Sequence, residues 1–377
     1  MKTTAKAVAL IGVIALGVTA CGSKPNSNAG NTPSNSPTTS GTTTSTKPAA
    51  NNKSFKGCMI SDVGGFNDKS FNQTSLLGLT NAVKAYGISM AKVQSNSPSD
   101  YKPNINAMVN AHCNIIVTVG YTLAAATETA AKANPKIDFA IVDNQYTGKI
   151  PANLKGLIFN TAQPAFLAGY IAAAMSKTHV VGTYGGENIP TVTIYMDGFY
   201  DGVQYYNKTK HASVKVVGWN EKTQKGSFTN DFTTASKGLA AANSLIQQGA
   251  DIVFPVAGGD GLGALQAAKN SGGRVNGIWV DTDGCVSAPQ YCSVLITSAE
   301  KNMQVAVQAA IKSALDKKFN NTPYVGTFTN NGVGIAPYHQ WSSKVPASLK
   351  KEVATIKQGL VSGKIKIASP SQPKPAS

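Results

Sequence analysis

The chain has 377 residues, a formal net charge of +16, 42% hydrophobic residues and five cysteines. That length is too great for one comfortable core, so two lobes are expected. The charge does not carry a nucleic-acid reading: Arg274 is the single arginine, and the lysines are scattered rather than gathered with aromatic residues as in phosphate and base recognition. It reads instead as charge for solubility and for attraction to an anionic cell envelope.

Residues 1–20 carry Lys2 and Lys6 and then an apolar run from Ala7 to Ala20, the proportions of a secretory signal and too short for a spanning helix. They end at Val18-Thr19-Ala20-Cys21, which resembles the bacterial lipobox; the resemblance implies cleavage before Cys21 and lipid on its sulfur. Residues 22–53 are nearly all Ser, Thr, Asn, Pro, Gly, Ala and Lys, and have too little apolar surface to offset their ordering entropy. They read as a disordered tether with a reach of about 30 Å. The tail, 369–377 with Pro370, Pro373 and Pro375, reads as disordered too.

From 54 to 368, β-rich runs alternate with Ala-rich amphipathic stretches. Strands are predicted at 57–61, 115–119, 139–142, 156–159, 180–184, 214–219, 252–256, 277–280 and 294–297. Helices are predicted at 74–86, 101–111, 123–134, 163–176, 194–207, 228–248, 263–270, 301–317 and 347–362. Repeated strand-then-helix units mean a doubly wound α/β fold with parallel sheets. Cys58 opens the first strand and Cys113 the next, and neighbouring parallel strands bring such a pair together. Cys285 and Cys292 flank a short loop that they can close. An exported protein uses cysteines in this way, and the expected bridges are Cys58–Cys113 and Cys285–Cys292. Zinc is disfavoured, since the spacings are not CxxC.

The most informative segment runs Ser61-Asp62-Val63-Gly64-Gly65-Phe66-Asn67-Asp68-Lys69-Ser70-Phe71-Asn72-Gln73. Its glycines turn the chain tightly where a strand hands over to a helix. Carboxylates and amides there suit hydroxyl groups, and Phe supplies a stacking face, so a small neutral ligand with a flat ring fits. In parallel α/β sheets the ligand lies beyond the carboxyl ends of the strands. Asp62, Asp143, Asp260, Asp281 and Asp283 follow strands, and Lys301 follows Thr297-Ser298. Convergence of several such residues marks a site better than any one, since a lone strand-end carboxylate is commonly a helix cap.

The run Gly258-Gly259-Asp260-Gly261-Leu262-Gly263 departs from GxGxxG and carries an acid that would oppose a phosphate, so it reads as a tight turn. The four histidines sit apart, no GxSxG elbow is present, and no cofactor motif or metal-ligand spacing stands out. Capture of a ligand is expected rather than catalysis. An envelope nucleoside hydrolase using paired carboxylates, and a receptor or adhesin ectodomain for another small ligand, stay open as alternatives.

Asp62-Val-Gly-Gly-Phe-Asn-Asp-Lys-Ser-Phe-Asn-Gln73 resembles the signature of the basic membrane protein family of bacterial nucleoside-binding lipoproteins. Later segments agree: Phe166-Leu-Ala-Gly-Tyr-Ile-Ala-Ala173, Met196-Asp-Gly-Phe-Tyr-Asp-Gly202, Val253-Phe-Pro-Val-Ala-Gly-Gly259, Val280-Asp-Thr-Asp283, and Thr297-Ser298 with Lys301-Asn302. The resemblance implies a type I periplasmic-binding-protein fold with two Rossmann-like lobes joined by three crossovers. It further implies a lipid-anchored protein, on the extracytoplasmic face of the membrane, that delivers purine nucleosides such as adenosine, guanosine and inosine to an ABC permease and ATPase. Lobe one would be 54–165 plus a returning segment near 301–326, lobe two 166–298, with 327–368 packed back on the body.

Matching motif positions assigns roles. Phe71 and Phe199 would sandwich the base, with Phe66 the alternative to Phe71. Asn67, Asp68 and Asn72 would read base edges or sugar hydroxyls, and Asp62, Asp143 and Asp281 or Asp283 would accept from ribose. Gly258 and Gly259 would let the backbone approach the ligand, and Lys301 would donate to the sugar or balance the acids. Gln163-Pro164-Ala165 stands where acidic residues are expected before Phe166, so no ligand role is carried there.

Overall fold

The computed structural model describes residues 51–374; the expected signal segment, Cys21 and the tether up to residue 50 lie outside the described residues, as do 375–377. In chain order, the first half is β1 (Lys56–Ile60), α1 (Phe71–Tyr86), β2 (Ser89–Val93), α2 (Tyr101–Asn110), β3 (Ile115–Val119), α3 (Ala124–Ala133), β4 (Asp138–Val142) and β5 (Leu154–Phe159). There follow α4 (Ala162–Met175), β6 (Val180–Gly185), α5 (Pro190–Lys210), β7 (Lys215–Val217), a small ribbon of β8 (Trp219–Asn220) and β9 (Lys225–Gly226), and α6 (Ala235–Gln247). The rest is β10 (Ile252–Val256), α7 (Leu262–Asn270), β11 (Asn276–Asp281), α8 (Gly284–Ser287), β12 (Leu295–Lys301), α9 (Met303–Leu315), β13 (Tyr324–Gly326), β14 (Val333–Ile335) and α10 (Ala347–Val361).

Two six-stranded sheets result, ordered β13-β5-β4-β3-β1-β2 and β14-β12-β11-β10-β6-β7. All strand pairs in them are parallel except β12–β14. Central strands such as β3 and β10 are buried along their whole length, because helices cover both faces of each sheet. The chain passes between the sheets after β5, after β12 and between β13 and β14. Cys58 is bonded to Cys113 between neighbouring β1 and β3, and Cys285 to Cys292 around α8.

Local chemistry explains the element ends. α1 begins where Asp68 accepts from the backbone N–H groups of Ser70, Asn72 and Gln73, three residues earlier than the periodicity predicts. α6 starts only at Ala235, because Asp231 gathers Thr233, Thr234 and Lys237 into a capped turn; the predicted helix over 228–248 is shorter by that loop. Gly218, at φ 85, ends the predicted strand over 214–219 and starts the ribbon. Edge strands β2, β13 and β14 carry no alternating pattern strong enough to be read from sequence.

α4 is buried on nearly every side, against α5, α10 and strands of the second sheet. Its approach to α5 is backbone-close: a Cβ on Gly169 would lie 2.0 Å from the Phe199 carbonyl oxygen, and one on Gly202 2.0 Å from that of Phe166. The Phe-Leu-Ala-Gly-Tyr and Asp-Gly-Phe-Tyr-Asp-Gly motifs therefore encode helix packing.

Both expected disordered ends require correction. Asn52, inside the predicted tether, donates to the Tyr86 carbonyl, so residues 51–53 belong to the folded body. Residues 369–374, expected to be disordered, are held by both halves of the molecule. Ser369 donates to Asp197 and Ser371 bonds Thr193, both on α5; Gln372 accepts from Asn160, and Lys374 exchanges two bonds with the Gln145 amide beyond β4. Polar side chains satisfy this segment's backbone where its composition offered no apolar anchor.

Candidate ligand cleft

The carboxyl ends of both sheets line one open cleft, whose empty space, mouth included, is about 840 Å³. Asp62 follows β1 and Asp68 caps α1, while Asp143 follows β4 on the same lobe; Asp281 ends β11 and Gly258 follows β10 on the other. Lys301, at the end of β12, enters along a crossover between lobes. Phe71 and Asn72, in the first turn of α1, complete the predicted set that the cleft brings together.

Asp143 and Asp281 occupy matching positions in the two lobes, each left-handed at φ 71 and φ 68. Aspartate tolerates that region better than most side chains, and such strain is held at sites where direction matters. Asp143 pairs with Lys301, both nearly sealed from solvent, and the Lys301 ammonium lies 4.7 Å from the Phe71 ring centre. Burial pushes the Asp143 carboxyl up, and the Lys301 charge pulls it back. Asp281 accepts from the Ser70 hydroxyl at 2.6 Å and from the Tyr195 hydroxyl at 3.0 Å. Burial and that carboxylate hold the Tyr195 phenol well above its usual range.

Asp62 is placed by a close turn. Its Oδ1 accepts from the Gly64 N–H at 2.9 Å and from Asn72 Nδ2 at 2.8 Å, and a Cβ on Gly120, at φ 116, would lie 2.7 Å from its Oδ2. Burial pushes the Asp62 carboxyl up to about 6, opposed by the Asn72 and Gly64 hydrogen bonds and reinforced by Asp143 and Glu187. Burial likewise takes Asp68 up to about 7, against the pull of the α1 backbone N–H groups.

Four predicted residues are not cleft residues. Phe199 is fully buried in the core and stacks on Phe254 at 5.0 Å and 15°, because the close α4–α5 contact turns that face of α5 inward. It is not available to a base. Asp283 caps α8 through the Cys285 N–H and bonds His339 at 2.6 Å, away from the cleft lining. Asn67 is exposed and accepts from Lys69, and Gly259 sits beside the cleft wall without lining it. Phe66, the alternative ring, lies under Lys92 and outside the lining as well.

The sequence reading missed Phe232, Tyr121, Tyr101, Tyr195 and Glu187, all of which line the cleft. Phe232 comes from the second lobe, as Phe71 does from the first, and lies in the loop that the helix prediction absorbed. Glu187 follows β6 after Gly185-Gly186, the same strand-end and glycine context that identified Asp62. A second hollow adjoins the cleft across Tyr121, Asp143, Thr191 and Lys301, and residues 370–374 wall it. A possible cation cluster at Asp283, Cys285 and His339 offers no thiolate, because Cys285 is disulfide-bonded.

Two parallel-sheet lobes, three crossovers and a polar cleft at the shared strand ends define the type I periplasmic-binding fold. A solute-binding protein of an ABC transporter system from Aeropyrum pernix superposes with a TM-score of 0.75 at 23% identity, covering 84% of this chain and 94% of that one. A transcriptional activator of the comK gene from Bacillus halodurans shares the fold with a TM-score of 0.66 at 21% identity, covering 82% of this chain and 99% of that one.

The model of the Bmp family, described as ABC transporter substrate-binding protein PnrA-like, matches residues 55–367, and the chain belongs to that family. The CD4+ T-cell-stimulating antigen of Listeria monocytogenes is 30% identical, over 97% of this chain and 99% of its own length. The ABC transporter nucleoside-binding protein BmpA of Lactococcus lactis is 29% identical, over 83% and 89%. The protein is thus a substrate-binding protein of the ABC transporter type, a class that acts on the extracytoplasmic side and binds rather than converts its ligand. Among the described residues, no helix is long and apolar enough to cross a membrane.

Proposed function

We propose that the protein captures purine nucleosides and passes them to an ABC permease and its ATPase, anchored to the membrane by lipid on Cys21. The observation that carries the ligand reading is that Phe71 and Phe232, from different lobes, both line the cleft that also holds Asp143, Lys301 and Asp281. Flat walls suit a purine, and stacking contributes on the order of 1–3 kcal/mol per ring face. Asp143 and Asp281 accept from ribose hydroxyls, Lys301 donates, and the bare Gly258 backbone lets the sugar come close. The Lactococcus relative is itself a protein named for nucleoside binding, which agrees with this reading.

Charge argues against nucleotides. The lining holds Asp62, Asp68, Asp143, Glu187 and Asp281 against Lys301, whose charge is already spent on Asp143. Two like unit charges about 4 Å apart repel by about 4 kcal/mol at an effective dielectric of about 20, so a phosphate is rejected. Calorimetric titration with adenosine, guanosine and inosine tests the reading, with nucleoside monophosphates as the negative arm. No heat at millimolar nucleoside overturns it. The anchor is tested separately: Cys21→Ala should release the protein from membranes, and retention would remove lipid from the account.

A further inference from the structure

The cleft lining carries several hydrogen-bond acceptors without partners. Asp62 Oδ1 is engaged twice, but Asp62 Oδ2 has no hydrogen-bond partner among the described residues. Glu187, from the opposite lobe, has no side-chain partner among them either, and its charge acts on both Asp62 and Tyr101. Asn72 Oδ1 is buried and unpaired. The amide cannot be turned to relieve this, because Asn72 Nδ2 donates to Asp62 Oδ1 at 2.8 Å and to Asp68 Oδ2 at 3.2 Å. A flip would set a carbonyl oxygen against two carboxylates.

The nitrogen donors fixed beside these oxygens are already committed, while the nearby Tyr101 and Thr122 hydroxyls keep one hydrogen between them beyond their shared bond. The Asn72 amide is spent on the two carboxylates, the Gly64 N–H on Asp62, and the Tyr101 hydroxyl shares a bond with Thr122. Lys301 is held by Asp143. Glu187 is not serving α5 as a cap, for it bonds none of that helix's N–H groups. Asn72 Oδ1, buried and unpaired, costs its desolvation until a donor arrives, and the half-exposed Asp62 and Glu187 carboxylates beside it are open to ligand N–H groups.

We propose that Glu187 is a specificity-determining residue, which with Asp62 and Asn72 selects a base presenting adjacent N–H donors, a 2-amino-6-oxopurine of the guanine type. This rests on the nucleoside reading above. Guanine places N1–H beside the N2 amino group, and those parallel donors match the two oxygens of one carboxylate, leaving an amino hydrogen for a second acceptor. Hypoxanthine keeps N1–H but lacks the amino group. Adenine turns a lone pair at N1 toward the acids, which repels. Sites built to meet a donor discriminate strongly against analogues that lack it.

The test is titration of guanosine, inosine and adenosine into the wild-type protein and Glu187→Gln. Guanosine should bind the wild type about tenfold or more tightly than inosine, and Glu187→Gln should collapse that ratio to within about threefold, mainly by weakening guanosine. An unchanged melting temperature for the variant establishes that its fold is intact. If nucleosides bind but the wild type does not favour guanosine, or Glu187→Gln leaves the ratio unaltered, the inference is overturned while the nucleoside reading stands. Absence of binding by all three nucleosides removes both.

Discussion

The Ser70 hydroxyl on the first lobe donates to Asp281 Oδ2 on the second at 2.6 Å, tying the two walls of the cleft together at its floor. The Trp279 indole N–H reaches the Lys69 carbonyl beside it at 3.3 Å. A hydrogen bond to a charged partner contributes about 1.5–3 kcal/mol, comparable with the few kcal/mol that typically separate two conformations of a protein. Ser70→Ala should therefore shift the ligand-free protein toward wider lobe separation, seen as a larger radius of gyration in small-angle scattering. An unchanged scattering profile would mean that other contacts set the lobe angle.

Two phenylalanines should separate stability from binding. Phe199 is sealed in the core, so Phe199→Ala should cost about 3–5 kcal/mol of folding stability through the cavity it leaves. Phe232 is partly exposed in the cleft, so Phe232→Ala should leave the melt nearly unchanged and weaken nucleoside binding by about tenfold or more. Melting curves and titrations of both variants check the pair, and the opposite pattern would put the stacking ring on α5.

The contrast between those rings marks where sequence stops being informative. Asp62, Asp143 and Asp281 are legible because a parallel sheet delivers every strand end to one edge, whatever the lobe angle. The direction of Phe199 depends on how α5 rotates against α4, which Gly169 and Gly202 set through contacts distant in sequence. Phe232 lies in a loop whose turn is made by Asp231 side-chain bonds, with no periodic signal to announce it. The tail from Ser369 carries a disordered composition and is ordered by Asp197, Thr193, Asn160 and Gln145, partners that only the fold brings near. Glu187 is within reach of the strand-end rule, since it follows β6 after Gly185-Gly186.

Binding should depend on pH through Asp62. Burial raises its carboxyl from the ordinary value near 3.8 to about 6, so the ligand-free folded protein holds a proton that the unfolded chain has lost between those values. That group's contribution therefore makes the free protein more stable at low pH, and the advantage disappears as pH rises through about 6. A ligand N–H favours the charged carboxylate, which lowers the folded value and releases a proton on binding. Nucleoside affinity should rise as pH increases from 5 to about 7, and Asp62→Asn should flatten the profile. Titrations in buffers of different ionisation enthalpy near pH 6 read the proton count directly, and zero release would contradict the account.

Lys301 and Asp143 form the buried pair of the site, and the Lys301 charge opposes the rise that burial gives the Asp143 carboxyl. Lys301→Met leaves a nearly sealed carboxylate without its cation and should cost about 3–5 kcal/mol of stability. Adding Asp143→Asn removes the stranded charge and should recover much of that loss. Neither variant should regain normal nucleoside affinity, because both lack the ammonium donor. Denaturant melts of the single and double variants settle the stability arm. If the double variant is no more stable than the single one, the pair is not coupled as its geometry indicates.

The C-terminal segment should govern how long a ligand stays. Residues 368–371 are fixed to α5 of the second lobe, through Asp201, Asp197 and Thr193, whereas Lys374 is clasped by Gln145 of the first. Lobe opening must stretch or break this strap. Each of its hydrogen bonds contributes about 0.5–1.5 kcal/mol net, so two lost together amount to roughly a tenfold change in an opening equilibrium. Ending the chain at Ala368 should therefore raise the dissociation rate of a nucleoside about tenfold and alter the association rate much less. Asp197 keeps its bonds to Trp219 and Gln224 in that variant, so the fold should survive. Gln145→Ala, which cuts only the first-lobe anchor, should reproduce most of the rate change in stopped-flow measurements. A faster release in the truncated chain without any change in Gln145→Ala would mean that the segment acts as a wall of the adjoining hollow and not as a strap between lobes.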